Sequence, residues 1–489
     1  MKQVVIGRSA LAAALALALS ACGGGGSNVR GDLEPSPPPT TPPSPPPTTP
    51  PSPPPTTAPP PQPAIDAHLG IIQAGPAQSA GWTGAGMRIG VVDSGVNREH
   101  PALAGRVLAN YTYVDPRVNN VNVDDVVGHG TVVAQLAAGG RVGSWPGGVA
   151  SQAQIVSARI ISDKRPVDDG SGSGNEITGA VGLDGVHQDL IAAGVKIMNN
   201  SWGGLYWTNP SATAPIAQEY RPFIIGNGGL VVFATGNESK ANPSSMAALP
   251  SQAGPGGSLP AADLERGWLS VTAVDTADPS KLASYANACG VAARYCLAAP
   301  GTVAYVDPAN KGGKLEYYYG SGTSYAAPLV SGAAALVWQK YPYFTNDLVR
   351  QTLLGTATDL GAAGVDRTFG YGLLNIAKAI SGPARFDWGD VTVNIGTLGL
   401  DSVWGNDISG NGGLIKQGAG ALSLAGANTY SGDTIIERGT LALRGGASLR
   451  SDVLIAPQVG NPNAAALQFM NGTTRVTGNV DNGASVILR

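Results

Sequence analysis

Apolar runs, each broken by a carboxylate, a glycine or a small hydroxyl, divide the chain into segments of different period. The stretch Ile89-Gly90-Val91-Val92-Asp93-Ser94-Gly95 is apolar until it meets a carboxylate and a turn, which reads as a buried strand with Asp93 at its end. Gly128-His129-Gly130-Thr131 opens the small apolar run Val132 to Ala138, so the ring of His129 is expected where backbone is tightly packed. Glu176 to Ala193 reads as helical, and a second small-residue run predicts a helix from about Tyr325 to Lys340 with Ser324 at its mouth. Between Gly412 and Leu443 short alternating strands recur at regular spacing, punctuated by Gly, Asn and Asp, the pattern of a parallel β-solenoid.

The beginning of the chain has a different character. Lys2 and Arg8 precede an Ala/Leu run from Leu11 to Leu19, too short to span a bilayer and shaped like a secretory signal. Leu19-Ser20-Ala21-Cys22 resembles a bacterial lipobox, which implies a lipid on Cys22 and, with Gly23 beside it, sorting to the outer membrane. A plain signal peptide cleaved nearby is the alternative. From Gly23 to Pro63 a Gly-rich hinge leads into near-repeats of Pro-Ser-Pro-Pro-Pro-Thr-Thr-Pro, which cannot pack a core. As a polyproline spacer, Pro35 to Pro63 would reach on the order of 90 Å.

Composition adds modest constraints. Hydrophobic residues are 43% and charged residues 13%, so a large core can form beneath a charge-poor surface. A net charge of −3 gives no reason to propose nucleic acid as a partner. Of three cysteines, lipidation would account for Cys22, which leaves Cys289 and Cys296 as a short-loop disulfide or a free buried pair.

Ser324 has two readings, an ordinary helix cap or a nucleophile. A nucleophilic serine needs a base, and four histidines are present. His68, His100 and His187 have plain structural readings, whereas His129 sits in a small-residue motif. Asp93 reads equally as a turn former or as the carboxylate that orients such a base.

Five segments, in order, resemble the signature blocks of the subtilisin family: Val91 to Gly95, Gly128 to Thr131, Asn199 to Gly204, Val232 to Asn237 and Gly322 to Pro328. The chain order Asp93, His129, Ser324 is the subtilisin order as well. The resemblance covers about Ala64 to Pro383 and implies a doubly wound, mostly parallel α/β catalytic domain. It implies Asp93, His129 and Ser324 as the catalytic residues and Asn237 as the oxyanion donor, against a reading of Asn237 as a loop asparagine. Ser201, Trp202, Gly203, Ala234, Thr235 and Gly236 resemble the edge segments that pair with an extended peptide. Trp202 replaces a usual aliphatic residue, so the subsites are expected to be narrowed or aromatic, or else the ring is core. Val132, Gln135, Tyr325 and Leu329 also depart from the family pattern without touching a catalytic role.

The resemblance implies polypeptide substrates and no cofactor for the chemistry. Family members often bind calcium, yet no metal-site pattern is readable, and Asp124-Asp125 and Asp168-Asp169 read as solvated loop charges. The expected organisation is a signal at 1–22, a stalk at 23–63, a peptidase domain at 64–383 and a solenoid region at 384–489. That last region resembles the passenger-associated repeat of bacterial autotransporters, which implies the cell surface of a Gram-negative bacterium, lipid-anchored or released. Such proteins usually end in a membrane β-barrel, and none is readable before Arg489, so two readings stay open: a barrel that lies beyond Arg489, or a free-standing protease with a small solenoid cap. Many secreted subtilisins carry a folding prodomain where only about seventeen residues separate Pro63 from Ala80; the C-terminal region is a candidate for that chaperone role. The rival reading is a catalytically silent adhesion or scaffold protein.

Overall fold

The computed structural model describes residues 62–164, 179–203, 205–396, 401–456, 465–470, 475–482 and 487–488. The signal segment, Cys22, nearly all of the proline tract, Asp168 and Asp169 lie outside the described residues.

Seven strands form the central sheet: β1 (Arg88–Asp93), β2 (Val107–Thr112), β3 (Gln154–Arg159), β4 (Ile197–Asn200), β5 (Leu230–Ala234), β6 (Trp268–Val274) and β7 (Cys296–Pro300). Their order is β2-β3-β1-β4-β5-β6-β7, and every neighbouring pair is parallel. Strand β1 lies between β3 and β4, where the winding reverses direction. Functional groups in open α/β sheets gather at the carboxyl ends of strands at such a reversal, and Asp93 is the last residue of β1.

Apolar runs are needed because both faces of the sheet are covered. Along β1, Ile89 and Val91 join one apolar cluster and Val92 joins the other, as the two-residue period of a strand requires. Two short helices, α1 (Ala67–Ile71) and α2 (Gly75–Ser79), precede the sheet. Helix α3 (His129–Ala138) is buried along its whole length. Next come α4 (Asp184–Ala192) and α5 (Thr213–Arg221). A hairpin of β8 (Thr302–Val306) and β9 (Tyr317–Ser321) then leads into α6 (Thr323–Lys340), which is followed by α7 (Asn346–Gly355). The Glu176 to Ala193 helix is shorter than predicted, since α4 begins only at Asp184 and residues 176–178 are outside the described set. Helix α6 begins two residues earlier than predicted, so Ser324 lies inside its first turn and Gly322 holds the cap position. The cap reading of Ser324 therefore gives way.

Beyond Pro383 the strands Val391–Asn394, Leu414–Gln417, Thr434–Ile436 and Val453–Ile455 stack in parallel, with Leu414 opposite Thr434 and Thr434 opposite Val453. A second ladder stacks Asp401–Trp404, Ala421–Leu424, Thr440–Arg444 and Ala466–Met470. This is the start of a parallel β-solenoid. Leu414, Leu422, Leu424, Ile436, Leu441 and Leu443 point inward and continue the apolar cluster that contains α3 and α6. Trp404 joins the two parts: it packs edge-on to Phe344 at 5.8 Å and donates to the Tyr343 hydroxyl at 3.1 Å. Tyr341 donates to the carbonyl of Val403 at 3.1 Å. Gly382 adopts φ +97°, and a Cβ there would lie 2.9 Å from the Trp404 ring, so only glycine fits the turn.

Candidate active site

Asp93 leaves β1 wholly buried, and its Oδ1 accepts from the backbone N–H of Ser94 at 2.7 Å and from His129 Nδ1 at 2.8 Å. Two glycines make that approach feasible. A Cβ on Gly130 would stand 2.2 Å from the carbonyl of Gly95 and 3.0 Å from Asp93 Cβ, and one on Gly95, at φ +109°, 1.9 Å from the carbonyl of Asp124. The motif thus lets the helix carrying the histidine touch the strand end carrying the carboxylate.

Asp125 departs from its predicted role. Its carboxylate accepts from Ser94 Oγ at 2.9 Å, Gly128 N at 2.8 Å, Thr131 N at 2.9 Å and Thr131 Oγ1 at 2.6 Å. The reading as a solvated loop charge is corrected: Asp125 takes the N–H of Gly128 at the cap position and that of Thr131 in the first turn of α3, while Ser94 Oγ takes that of Gly130, and the helix's positive end is favoured by the charge of Asp125. Burial raises its pKa above the ordinary carboxylate value despite those bonds. Asp124 pairs with Arg98 at 2.8 Å, as a partly exposed charge can.

Ser324 is almost entirely buried, in the first turn of α6. Pro328 has no N–H to bond the Ser324 carbonyl four residues back, and that carbonyl accepts instead from Ser201 Oγ at 2.7 Å. The relay continues, for Ser201 Oγ accepts from Asn199 Nδ2 at 2.8 Å and Asn199 Oδ1 from Ser331 Oγ at 2.8 Å. It ties α6 to the end of β4. The Tyr325 ring lies 5.8 Å from that of His129, which puts α6 and α3 together at the site.

Asn237 follows β5 and joins from a third side. Its Oδ1 accepts from Thr323 N at 2.8 Å and Thr323 Oγ1 at 2.9 Å, so the Nδ2 end of the amide is the one able to donate to an oxyanion. The segments Ser201–Gly203 and Ala234–Gly236 leave the adjacent, paired strands β4 and β5. They converge closely: a Cβ on Gly203 would lie 3.9 Å from Gly236 Cα and 3.9 Å from Ser244 Oγ. Ser244, in a stretch whose sequence carries no motif, donates its N–H to the Thr235 carbonyl at 2.9 Å. Trp202 is 1% exposed and edge-on to Phe233 at 4.8 Å, which makes it a core residue and corrects the aromatic subsite.

The other histidines serve the core. Each ring meets a backbone carbonyl: His68 that of Gly147 at 3.0 Å, His100 that of Asp307 at 3.1 Å and His187 that of Glu219 at 2.6 Å. Burial pushes His100 and His187 down to about 4. Cys289 and Cys296 form a disulfide with Cα atoms 5.8 Å apart. Among the described residues no group of three or more His, Cys, Asp or Glu is arranged to hold a metal ion.

An all-parallel, doubly wound sheet with an Asp-His pair at its reversal, and a serine at a helix start beside it, defines an α/β protein of the serine-hydrolase kind. The chain belongs to the Subtilase family, which residues 84–372 match. Residues 414–443 match the passenger-associated-transport-repeat. The chain is 32% identical to the Neisserial autotransporter lipoprotein NalP of Neisseria meningitidis, over 78% of this chain and 40% of that protein. It is 31% identical to an extracellular serine protease of Serratia marcescens, over 78% of this chain and 43% of that one. Subtilisin DY of Bacillus licheniformis matches at 29% identity, over 63% of this chain and 96% of its own length. The chain thus spans less than half the length of the first two of these relatives.

Proposed function

We propose that the protein is a serine endopeptidase that works outside the cytoplasm through an acyl-enzyme. Ser324 Oγ attacks the peptide carbonyl carbon as its proton passes to His129 Nε2, while Asp93 accepts from Nδ1–H and stabilises the imidazolium that forms. The carbonyl oxygen becomes an oxyanion that accepts from Asn237 Nδ2 and from the backbone N–H of Ser324, which lies in the first turn of α6. As the C–N bond breaks, His129 returns the proton to the leaving amine, and water then repeats the sequence on the ester. Ser201–Gly203 and Ala234–Gly236 pair with the substrate backbone as added strands. The observation that carries this reading is the buried 2.8 Å contact of His129 Nδ1 with Asp93 Oδ1, beside the fixed first turn of α6.

The wider setting belongs to the same proposal. The likeness to an autotransporter lipoprotein and the repeat at 414–443 support a passenger held at the outer membrane by a lipid on Cys22, with surface proteins such as adhesins as substrates. The units proposed are a signal at 1–22, a stalk at 23–63, a peptidase domain at 64–383 and a repeat region at 384–489. A fluorophosphonate probe should label the wild type and not Ser324→Ala. Folded wild type that stays unlabelled would instead favour a silent surface platform.

A further inference from the structure

Asn287 lies on the loop after β6, 50 residues beyond Asn237, and its side chain is completely buried. Its hydrogen-bonding atoms are directed almost wholly at the segment that carries Asn237. The backbone N–H donates to the Gly236 carbonyl at 2.9 Å. Nδ2 donates to the Thr235 carbonyl at 3.1 Å and to Glu238 Oε2. Oδ1 accepts from Glu238 N at 3.0 Å and from Lys240 N at 2.8 Å. The Asn287 carbonyl accepts from Thr235 Oγ1 at 2.9 Å and from Thr272 Oγ1 at 2.7 Å. Residues on both sides of Asn237 are therefore held by one buried amide.

The fit is close. Gly236 adopts φ +112°, and a Cβ there would lie 2.5 Å from Asn287 Nδ2, so the clamp needs a bare backbone at that position. With the backbone of Asn237 fixed from one side and its Oδ1 engaged by Thr323 from the other, the Nδ2 end has one direction to point. A donor of this kind stabilises an oxyanion only if it is aimed before charge develops, because reorientation during the reaction would consume the benefit. Asparagine is suited to such a clamp because one planar group supplies two donors and an acceptor able to take two bonds, which a serine or an aspartate at the same place cannot supply.

We infer that Asn287 is a positioning residue for the oxyanion donor Asn237, acting by clamping residues 235–240 and touching no substrate atom. The inference rests on the catalytic reading above. Its test is a double-substitution cycle in the full chain, with Asn287→Ala, Asn237→Ala and both together. Values of kcat and KM for a peptide substrate are normalised to the protein labelled by a fluorophosphonate at completion. With Asn237 present, Asn287→Ala should lower kcat about tenfold with KM changing much less, and in the Asn237→Ala background it should cost less than about twofold. Equal losses in both backgrounds, or a loss confined to KM, would overturn the inference while leaving the catalytic reading intact. Wild type that neither labels nor cleaves would overturn the catalytic reading itself. If Asn287→Ala yields no labelled protein, Thr272→Val, which deletes one bond to Asn287, goes through the same cycle under the same criterion.

Discussion

Replacing Asp93 with asparagine keeps the shape of the side chain and removes its charge. In the native site Oδ1 accepts both Ser94 N and His129 Nδ1, at 2.7 and 2.8 Å, in full burial. The charge centres of such an imidazolium–carboxylate pair lie about 4 Å apart, where two unit charges interact by about 4 kcal/mol at an effective dielectric constant of about 20. The imidazolium exists only once His129 has taken the serine proton, so this attraction lowers the transition state and not the ground state. Its loss should reduce kcat by about 10³-fold. An asparagine with its oxygen at the Oδ1 place still accepts both N–H groups and holds the correct tautomer. If it turns round, its NH₂ meets two donors, the tautomer is lost, and the reduction grows. The assay is kcat and KM on a peptide substrate, normalised to folded protein, with an unfolding curve alongside. KM should stay within about threefold, because ground-state binding does not use the charge. A folded Asp93→Asn protein that loses less than about tenfold in kcat would refute the electrostatic account.

Four further outcomes are expected. Asp125→Ala removes four partly buried acceptor contacts at the start of α3 and should destabilise the protein by about 1–3 kcal/mol in denaturant unfolding, with reduced activity per folded molecule. Acid should weaken the fold: His100 and His187 are held near 4 in the folded protein against an ordinary 6.5, so below 6.5 the unfolded chain binds protons that the folded one does not. The unfolding midpoint should therefore fall as pH drops from 6.5 toward 4, and a flat midpoint across that window contradicts the assignment. A chain ending at Pro383 loses the Trp404 contacts with Phe344 and Tyr343, worth about 3–5 kcal/mol, and should show a lower melting temperature; if it folded and cleaved normally, a chaperone role for the C-terminal region would be dropped. Dilute peroxide should leave activity largely intact, since Tyr325 puts no thioether beside Ser324 and Met198 and Met246 are fully buried; rapid inactivation counts against this.

Much of the site is legible in the sequence because its constraints are local. A buried strand ending in Asp93, a histidine between two glycines at a helix start, and a Ser followed four residues later by a Pro each fit within a few positions, where backbone geometry selects the residue types. The short solenoid strands are legible for the same reason, since a parallel stack repeats its turn chemistry at each coil. Helix starts shift by a few residues from their predicted places, as at Ser324, because caps depend on contacts as well as composition.

What tertiary structure alone decided was pairing over distance. Asp125 reads as a surface charge until Ser94 and the first turn of α3 enclose it. The relay from Ser331 through Asn199 and Ser201 to the Ser324 carbonyl joins residues 132 and 123 positions apart, and Asn287 reaches Thr235 across 52. Trp202 is readable as a subsite or as core, and its packing on Phe233 settles it as core. Side-chain pattern records which face of an element is apolar, but a polar group's partner is chosen by the sheet order that brings strand ends together. That order is a property of the whole fold and leaves no local mark.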